Sequence, residues 1–417
     1  MRKLLVLGGA NVHCKLVKAA NEMRVHTVVT DYLVDSPAKK IADESLMFSI
    51  TDVDGIVDYC KENGIDAVLS THLDPGQRPY QAICEKLGAF CYGNREQFYQ
   101  MTDKTAFKKL CKACGVDTIV DYSIESIEKN VVCYPVFIKP VDSRGSRGQA
   151  VCNNKAEALR AIPVAQRESS NGKCIIEKYM QGAPEIQVTY FFVNGEPYLI
   201  RTADSYRGTE EQGLEKVVVC SVSPSNYNDE YLKTAHPKVI AMLKGLGIRN
   251  GPAFMQGFYD KGAFRFFDPG LRFPGVEYEK IYTQEYGIDF MKLMVEYALS
   301  GRFSIDELPR DLHKLNGKKA AILFPTVSAG TITEIVGAEK IDKEKSVISF
   351  TQRHTIGGTI DWTYDVNQRM AEIVILSQNE ECLRSDIKKI QSCYRVYDAQ
   401  GTNMMFREFD TSRIGGE

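Results

Sequence analysis

Val136-Phe137-Ile138-Lys139-Pro140-Val141-Asp142-Ser143-Arg144-Gly145-Ser146-Arg147-Gly148-Gln149 opens as a short apolar strand and sets Lys139 at its end. It then enters a loop of small residues, two arginines and two glycines. Glycines let a backbone turn its N–H groups towards one point and approach a ligand closely. Serine hydroxyls and arginines add donors for the same anion, and a lysine supplies a compact charge. A strand, a lysine and a Gly/Ser loop in that order read as a clamp for a polyphosphate. The spacing is not the Walker pattern, and no Gly-x-Gly-x-x-Gly opens a helix here. The plain alternative is a basic surface hairpin, so the decision rests on the neighbouring stretches.

Upstream, residues 100–116 have the spacing of an amphipathic helix. Thr102 or Asp103 caps it, Gly115 ends it, and Lys104 sits in its first turn. There the helix dipole disfavours a cation, which makes a ligand anion a reasonable partner. Residues 1–95 alternate strand and helix, which implies a parallel sheet covered by helices. The Gly8-Gly9 turn after the first strand lies where such sheets bind ligands, but it lacks the third glycine of a dinucleotide fingerprint. Asp31, ending the second strand, suits a ribose, a substrate amine or a mere turn.

Downstream, a strand over 173–180 carries Glu177, Lys178 and Met180, followed by Gly182, Glu185 and a strand over 186–193. Asn194-Gly195 reads as a hairpin. Residues 200–216, with Arg201, Arg207, Glu210, Glu211 and Lys216, read as a charged loop long enough to be a lid. A helix over 229–246 leads into strands over 253–259 and 263–268, then Asp268-Pro269-Gly270-Leu271-Arg272-Phe273-Pro274-Gly275 and a helix over 288–300. Beyond about residue 317, strand-like segments alternate with glycine turns, and one late helix covers 379–390. This last stretch reads as a separate, mostly β domain.

Composition narrows the functions. A chain of 417 residues argues for about two to four domains. A net charge of -2 leaves no basic excess for a nucleic-acid surface. No run of about 18 apolar residues exists to span a membrane, and the N-terminus reads as a first strand instead of a leader. The 12 cysteines are scattered. Cys111 and Cys114 form a C-x-x-C with no second pair at metal spacing, so reduced thiols in a cytoplasmic protein are the simplest account.

Taken in order, Lys104, Ile138-Lys139-Pro140, the Gly/Ser loop, Ile176 to Met180, Glu185 and a final acid-to-arginine hairpin resemble the ATP-grasp superfamily, in particular its carboxylate–amine ligases. The resemblance covers nearly the whole chain and implies an α/β fold of three parts. Residues 1–97 would be the parallel α/β domain that precedes the ATP-grasp fold. Residues 98–305 would be the two-lobed α+β ATP-grasp domain, its small lobe at about 118–182, and 316–417 a C-terminal β-rich domain. Lys104 and Lys139 would contact ATP phosphates, and Ser143, Gly145, Ser146 and Gly148 would form the flap over them. Glu177, Lys178 and Met180 would form the hinge read by adenine, and Glu185 would accept from the ribose. Arg272 would hold the acyl-phosphate oxygens or the substrate carboxylate, with Arg201 a second catalytic candidate and Arg207 and Lys216 further cations for the γ-phosphate.

One departure from the family pattern concerns the metal. Where relatives place three oxygen ligands for Mg²⁺, this chain has Gln256, Asp268 and Gly270, of which only Asp268 is a carboxylate. Glu277 and Glu279 lie just downstream and are available to compensate. The resemblance therefore implies ATP and Mg²⁺ as cofactors and a ligase joining a small carboxylate, such as an amino acid, to an amine through an acyl phosphate. A carbamoyl-phosphate-synthase-like or formate-activating enzyme is one alternative, and a nucleotide-binding protein with weakened transfer activity is another. A homodimer is compatible with the resemblance.

Overall fold

In this computed structural model, residues 1–141, 148–169, 171–209, 214, 217–361 and 366–415 are described. The chain opens with Lys3–Leu7, whose last four residues are buried. It lies between His26–Thr30 and Ala67–Leu69, all parallel, with Glu44–Leu46 at the edge. Runs buried on both faces, such as Leu4-Leu5-Val6-Leu7, are what a helix-covered parallel sheet requires. The Gly8-Gly9 turn is tight for an internal reason. Gly8 has φ +108°, and a Cβ there would lie 2.5 Å from the His13 ring. Its N–H bonds to Thr30 O, and Gly9 donates to Asp31 Oδ2 at 2.7 Å. Asp31 thus acts as a turn residue, and both glycine N–H groups are spent inside the protein.

A helix then spans Asp74–Leu87, with Pro75 in its first turn, where a missing N–H costs nothing. The next helix of interest, Lys104–Ala113, is capped by the Asp103 side chain. A small four-stranded sheet follows in the order Asp121–Tyr122, Cys174–Lys178, Val136–Pro140, Ala150–Cys152. The helices Ile124–Glu128 and Lys155–Arg167 close its own small core around Ile138, Ala158 and Ile176.

Eight strands form one large sheet, in the order Ala263–Gly270, Gly251–Asp260, Glu185–Val193, Glu196–Arg207, Val218–Ser223, Lys319–Leu323, Ala371–Ser377, Val347–Gln352, and two small ribbons pair Gly330–Thr331 with Thr359–Ile360 and Glu334–Val336 with Arg395–Tyr397. Two expectations change here. Residues 200–207, read as part of a lid loop, are strand, because Glu196–Arg207 is paired on both sides and Arg201 points inward. The helix over 229–246 is two helices, Asn228–Thr234 and His236–Gly245, since Pro237 interrupts the hydrogen-bond ladder. Residues 316–417 contribute three strands to the large sheet and hold the two small ribbons themselves. Val218–Ser223 pairs with Lys319–Leu323, so the sheet runs on across that boundary, although a second apolar core forms beneath the late helix Glu380–Cys393.

Candidate nucleotide and acyl-transfer site

The lysine of the opening stretch lies near the end of Val136–Pro140, buried at the mouth of the small lobe. Its Nζ donates to Glu177 Oε2 at 2.6 Å and stands 5.8 Å from the Phe137 ring and 5.7 Å from the Phe267 ring. Glu177 comes from the adjacent strand, where it pairs with Phe137. Its other oxygen takes Lys108 Nζ at 2.5 Å, and Lys108 also bonds Asp121. Lys108 is one helical turn beyond Lys104, so both face the lobe. Lys104 in turn pairs with Asp268 at 2.9 Å. Three lysines and two buried or half-buried carboxylates therefore meet between the small lobe and the final hairpin.

The charges shape one another. Burial pushes the Glu177 carboxyl up, but Lys139 and Lys108 hold it below its ordinary range. Asp268 raises Lys104, while burial lowers Lys139 against the pull of Glu177. Lys139 is a desolvated cation whose charged form a phosphate would favour.

Beyond the small-lobe strand, Tyr179, Met180, Gly182, Pro184, Glu185, Arg207 and Phe258 line a cavity of about 580 Å³. Glu185 is tied to Arg207 at 2.5 Å and weakly to Gln256 at 3.4 Å. Burial still raises its carboxyl above the usual value. Gln256 sits directly opposite Asp268 on one neighbour and Gln187 on the other. Cross-strand partners share a face, so the carboxylate and two amides form one row. Arg201 extends it. Fully buried, it donates to Gln187 Oε1 (2.9 Å), Ser221 Oγ (2.7 Å) and Ser223 Oγ (3.0 Å) and stacks on Tyr278 at 5.0 Å. Arg272 forks onto Asp74 at 2.5 and 2.6 Å and lies 4.5 Å from the Phe254 ring.

A family model, "Carbamoyl-phosphate synthase L chain, ATP binding domain", matches residues 103–193, the stretch that carries Lys104, Lys139, Glu177 and Glu185. The fold matches the biotin carboxylase domain of Hydrogenobacter thermophilus 2-oxoglutarate carboxylase, solved with MgADP and bicarbonate, at TM-score 0.78 and 19% identity over 97% of this chain and 91% of that one. It also matches the L-amino acid ligase of Bacillus licheniformis at TM-score 0.75 and 16% identity over 95% and 99%. The chain has an ATP-grasp fold. In sequence, the 2-oxoglutarate carboxylase small subunit of H. thermophilus is 27% identical over 218 residues, 47% of this chain and 46% of that one. The chain thus spans about half the length of that curated relative.

Within this ATP-grasp fold, Lys104, Lys139, Glu177 and Asp268 come together, while Met180 and Glu185 line the neighbouring cavity. Lys178 points away, reaching Asp260 at 3.6 Å, and its N–H is spent on Val120 O. Ser143, Gly145 and Ser146 lie outside the described residues, as do Glu210, Glu211 and Lys216. Gly148, the last flap residue, is described, with φ +67°. Sequence reading missed Lys108 and Asp74. Lys108 was legible as the residue four after Lys104, whereas Asp74 lies 198 residues from its arginine and carries no local signal.

The acids expected to compensate at the metal are engaged elsewhere. Glu279 holds Lys15 at 2.7 Å and His72 at 3.3 Å, and Glu277 holds Lys280, Ser349 and Thr351. Among the described residues no three His, Cys, Asp or Glu side chains converge on one point. Asp268 with the Gln256 amide still fits Mg²⁺ chemistry, since this ion is commonly held by one or two carboxylates together with phosphates and water.

Proposed function

We propose that the chain is an ATP-dependent carboxylate–amine ligase working through an acyl phosphate, on an amino acid or another small carboxylate. The observation that carries the reading is the meeting of Lys104, Lys108 and Lys139 with Glu177 and Asp268, one strand-end away from Arg272. The substrate carboxylate oxygen attacks the γ-phosphorus, the bond to the bridging oxygen breaks, and ADP leaves. The amine nitrogen then attacks the acyl carbon, loses a proton and expels phosphate.

Lys139 and Lys104 would neutralise phosphate oxygens, exchanging part of their bonding to Glu177 and Asp268 for it. Arg272, held by the Asp74 fork and by the Phe273 carbonyl, would turn its remaining Nη–H groups to carboxylate or acyl-phosphate oxygens. Such preset charge is typically the largest catalytic contribution. Mg²⁺, bound through Asp268 and Gln256 Oε1, would add charge stabilisation between the phosphates. Arg201, with its three neutral acceptors, acts by holding the Gln187–Gln256 row instead of touching substrate.

ADP release screened over acids and amines, singly and in pairs, tests this. Release that needs one acid and one amine and vanishes in Asp268→Ala supports a ligase. Release needing only bicarbonate or formate points to the carbamoyl-phosphate-synthase-like or formate-activating alternative. The lone metal carboxylate favours a second reading, a nucleotide-binding protein without transfer, which ATP binding with no release in any mixture would support. All 12 cysteines are free, which supports a cytoplasmic setting, and no helix among the described residues is long and apolar enough to cross a membrane. Small-molecule partners and a homodimer complete the proposal; sedimentation tests the latter.

A further inference from the structure

At the far end of the large sheet, two guanidinium groups flank one carboxylate, and one of them bonds it. Arg353 donates from Nη2 to Glu372 Oε2 at 2.6 Å, and the other Glu372 oxygen accepts the Glu277 N–H, also at 2.6 Å. Arg369 has no such partner. It is only 9% exposed, its Nη2 donates to Val218 O at 2.7 Å, and its Nε is buried with no acceptor among the described residues. The Arg353 Nε is buried and unbonded too. Both groups lie against the Phe324 ring, at 5.8 and 4.0 Å. Stacking on a ring attracts a cation but does not cancel its charge. Burial and the neighbouring Arg353 both work against a charged Arg369, more strongly than the nearby Glu372 carboxylate favours it, and bring its pKa down to about 9.

A buried charge without a counter-charge is costly, and structures keep one where a ligand completes it. The place is also right for a ligand of the proposed reaction. Glu277, whose N–H caps Glu372, is five residues beyond Arg272, hence within about 17 Å of it along the chain. We propose that Arg369 and Arg353 form a subsite for an oxyanion, a carboxylate or a phosphate, carried on the non-reacting end of one of the two substrates. A guanidinium pair with free Nε–H groups suits either group, since both accept forked hydrogen bonds.

Identifying that anion as part of a substrate rests on the ligase reading; the anion binding itself does not. The test is calorimetry of the full chain with inorganic phosphate and, separately, succinate, with and without a non-hydrolysable ATP analogue that occupies the nucleotide site. Wild type should bind one of the two anions, at least about tenfold more tightly than Arg369→Met, with Arg369→Lys between them. Phosphate alone assigns a phosphorylated substrate, and succinate alone a substrate with a second carboxylate. The anion-free Arg369→Met protein should melt no lower than wild type, since the substitution removes an uncompensated charge. A lower melting temperature would make Arg369 a strut for Val218 and overturn the subsite. So would equal anion binding in all three proteins, or binding in none. Turnover with Arg369-independent anion binding would sink the subsite alone, whereas Arg369-dependent binding without turnover in any mixture would sink the ligase alone.

Discussion

Phe254 faces Gly270 across the final hairpin, and a Cβ added to Gly270 would lie 2.8 Å from Phe254 Cδ1 and nearer still to Cε1. The ring that fills this space also carries the Arg272 guanidinium at 4.5 Å. The position where relatives place a third metal ligand is thus packed, and the residue that packs it supports the arginine beside it. Gly270→Asn should therefore not strengthen Mg²⁺ binding. It should lower stability by about 1–3 kcal/mol through overpacking. Adding Phe254→Ala to it should recover part of that loss, and thermal unfolding of the two variants checks both statements.

Lys108 and Lys139 hold opposite oxygens of Glu177, yet they should behave differently when truncated. Lys139→Met removes a proposed phosphate contact, so ATP affinity should fall at least about tenfold. Lys108→Met leaves Lys139 to pair with Glu177 alone, so the loss should be smaller and should disappear when Glu177→Gln is added. Calorimetric titration with an ATP analogue across this double-mutant cycle measures the coupling.

Asp74 and Arg272 make a forked pair between the N-terminal helix and the final hairpin. Asp74→Asn keeps the shape and removes the charge. The expected result is a drop in kcat of the proposed ligation with little change in ATP affinity, since the arginine loses its fixed orientation. Equal losses in both would mean that Arg272 serves the nucleotide instead.

His13 is fully buried and neutral, its pKa brought down to about 4 by burial. His72, also fully desolvated, is pushed the same way. Below about pH 6.5 the unfolded imidazole takes a proton and the folded one does not, so stability falls as pH drops from about 6.5 to 4 and levels off beneath. For His13 the loss is roughly 3 kcal/mol over that window. His13→Leu should flatten the curve by a similar amount, which denaturant titrations at several pH values can measure.

The elements that bring the lysines together were legible because their signals are local. A strand ending in Lys139, a capped helix starting at Lys104 and a hairpin turned by Lys261-Gly262 each follow from spacing and turn chemistry within a few residues. The same local reading failed at 200–207, where charged residues suggested a lid. Pairing on both flanks makes that segment strand and buries Arg201, and pairing between distant strands leaves no mark on the strand itself.

By itself the sequence determined the order of strands and helices, the lysines and the acid-to-arginine hairpin, because periodicity, caps and turns act over one or two turns of chain. Only the tertiary structure decided which charges neutralise one another: Asp74 with Arg272, Lys108 with Glu177, Glu279 with Lys15, and Arg369 with no carboxylate among the described residues. Those pairings depend on distances between segments far apart in the chain, and burial gives each of them its weight by removing the water that would otherwise screen it.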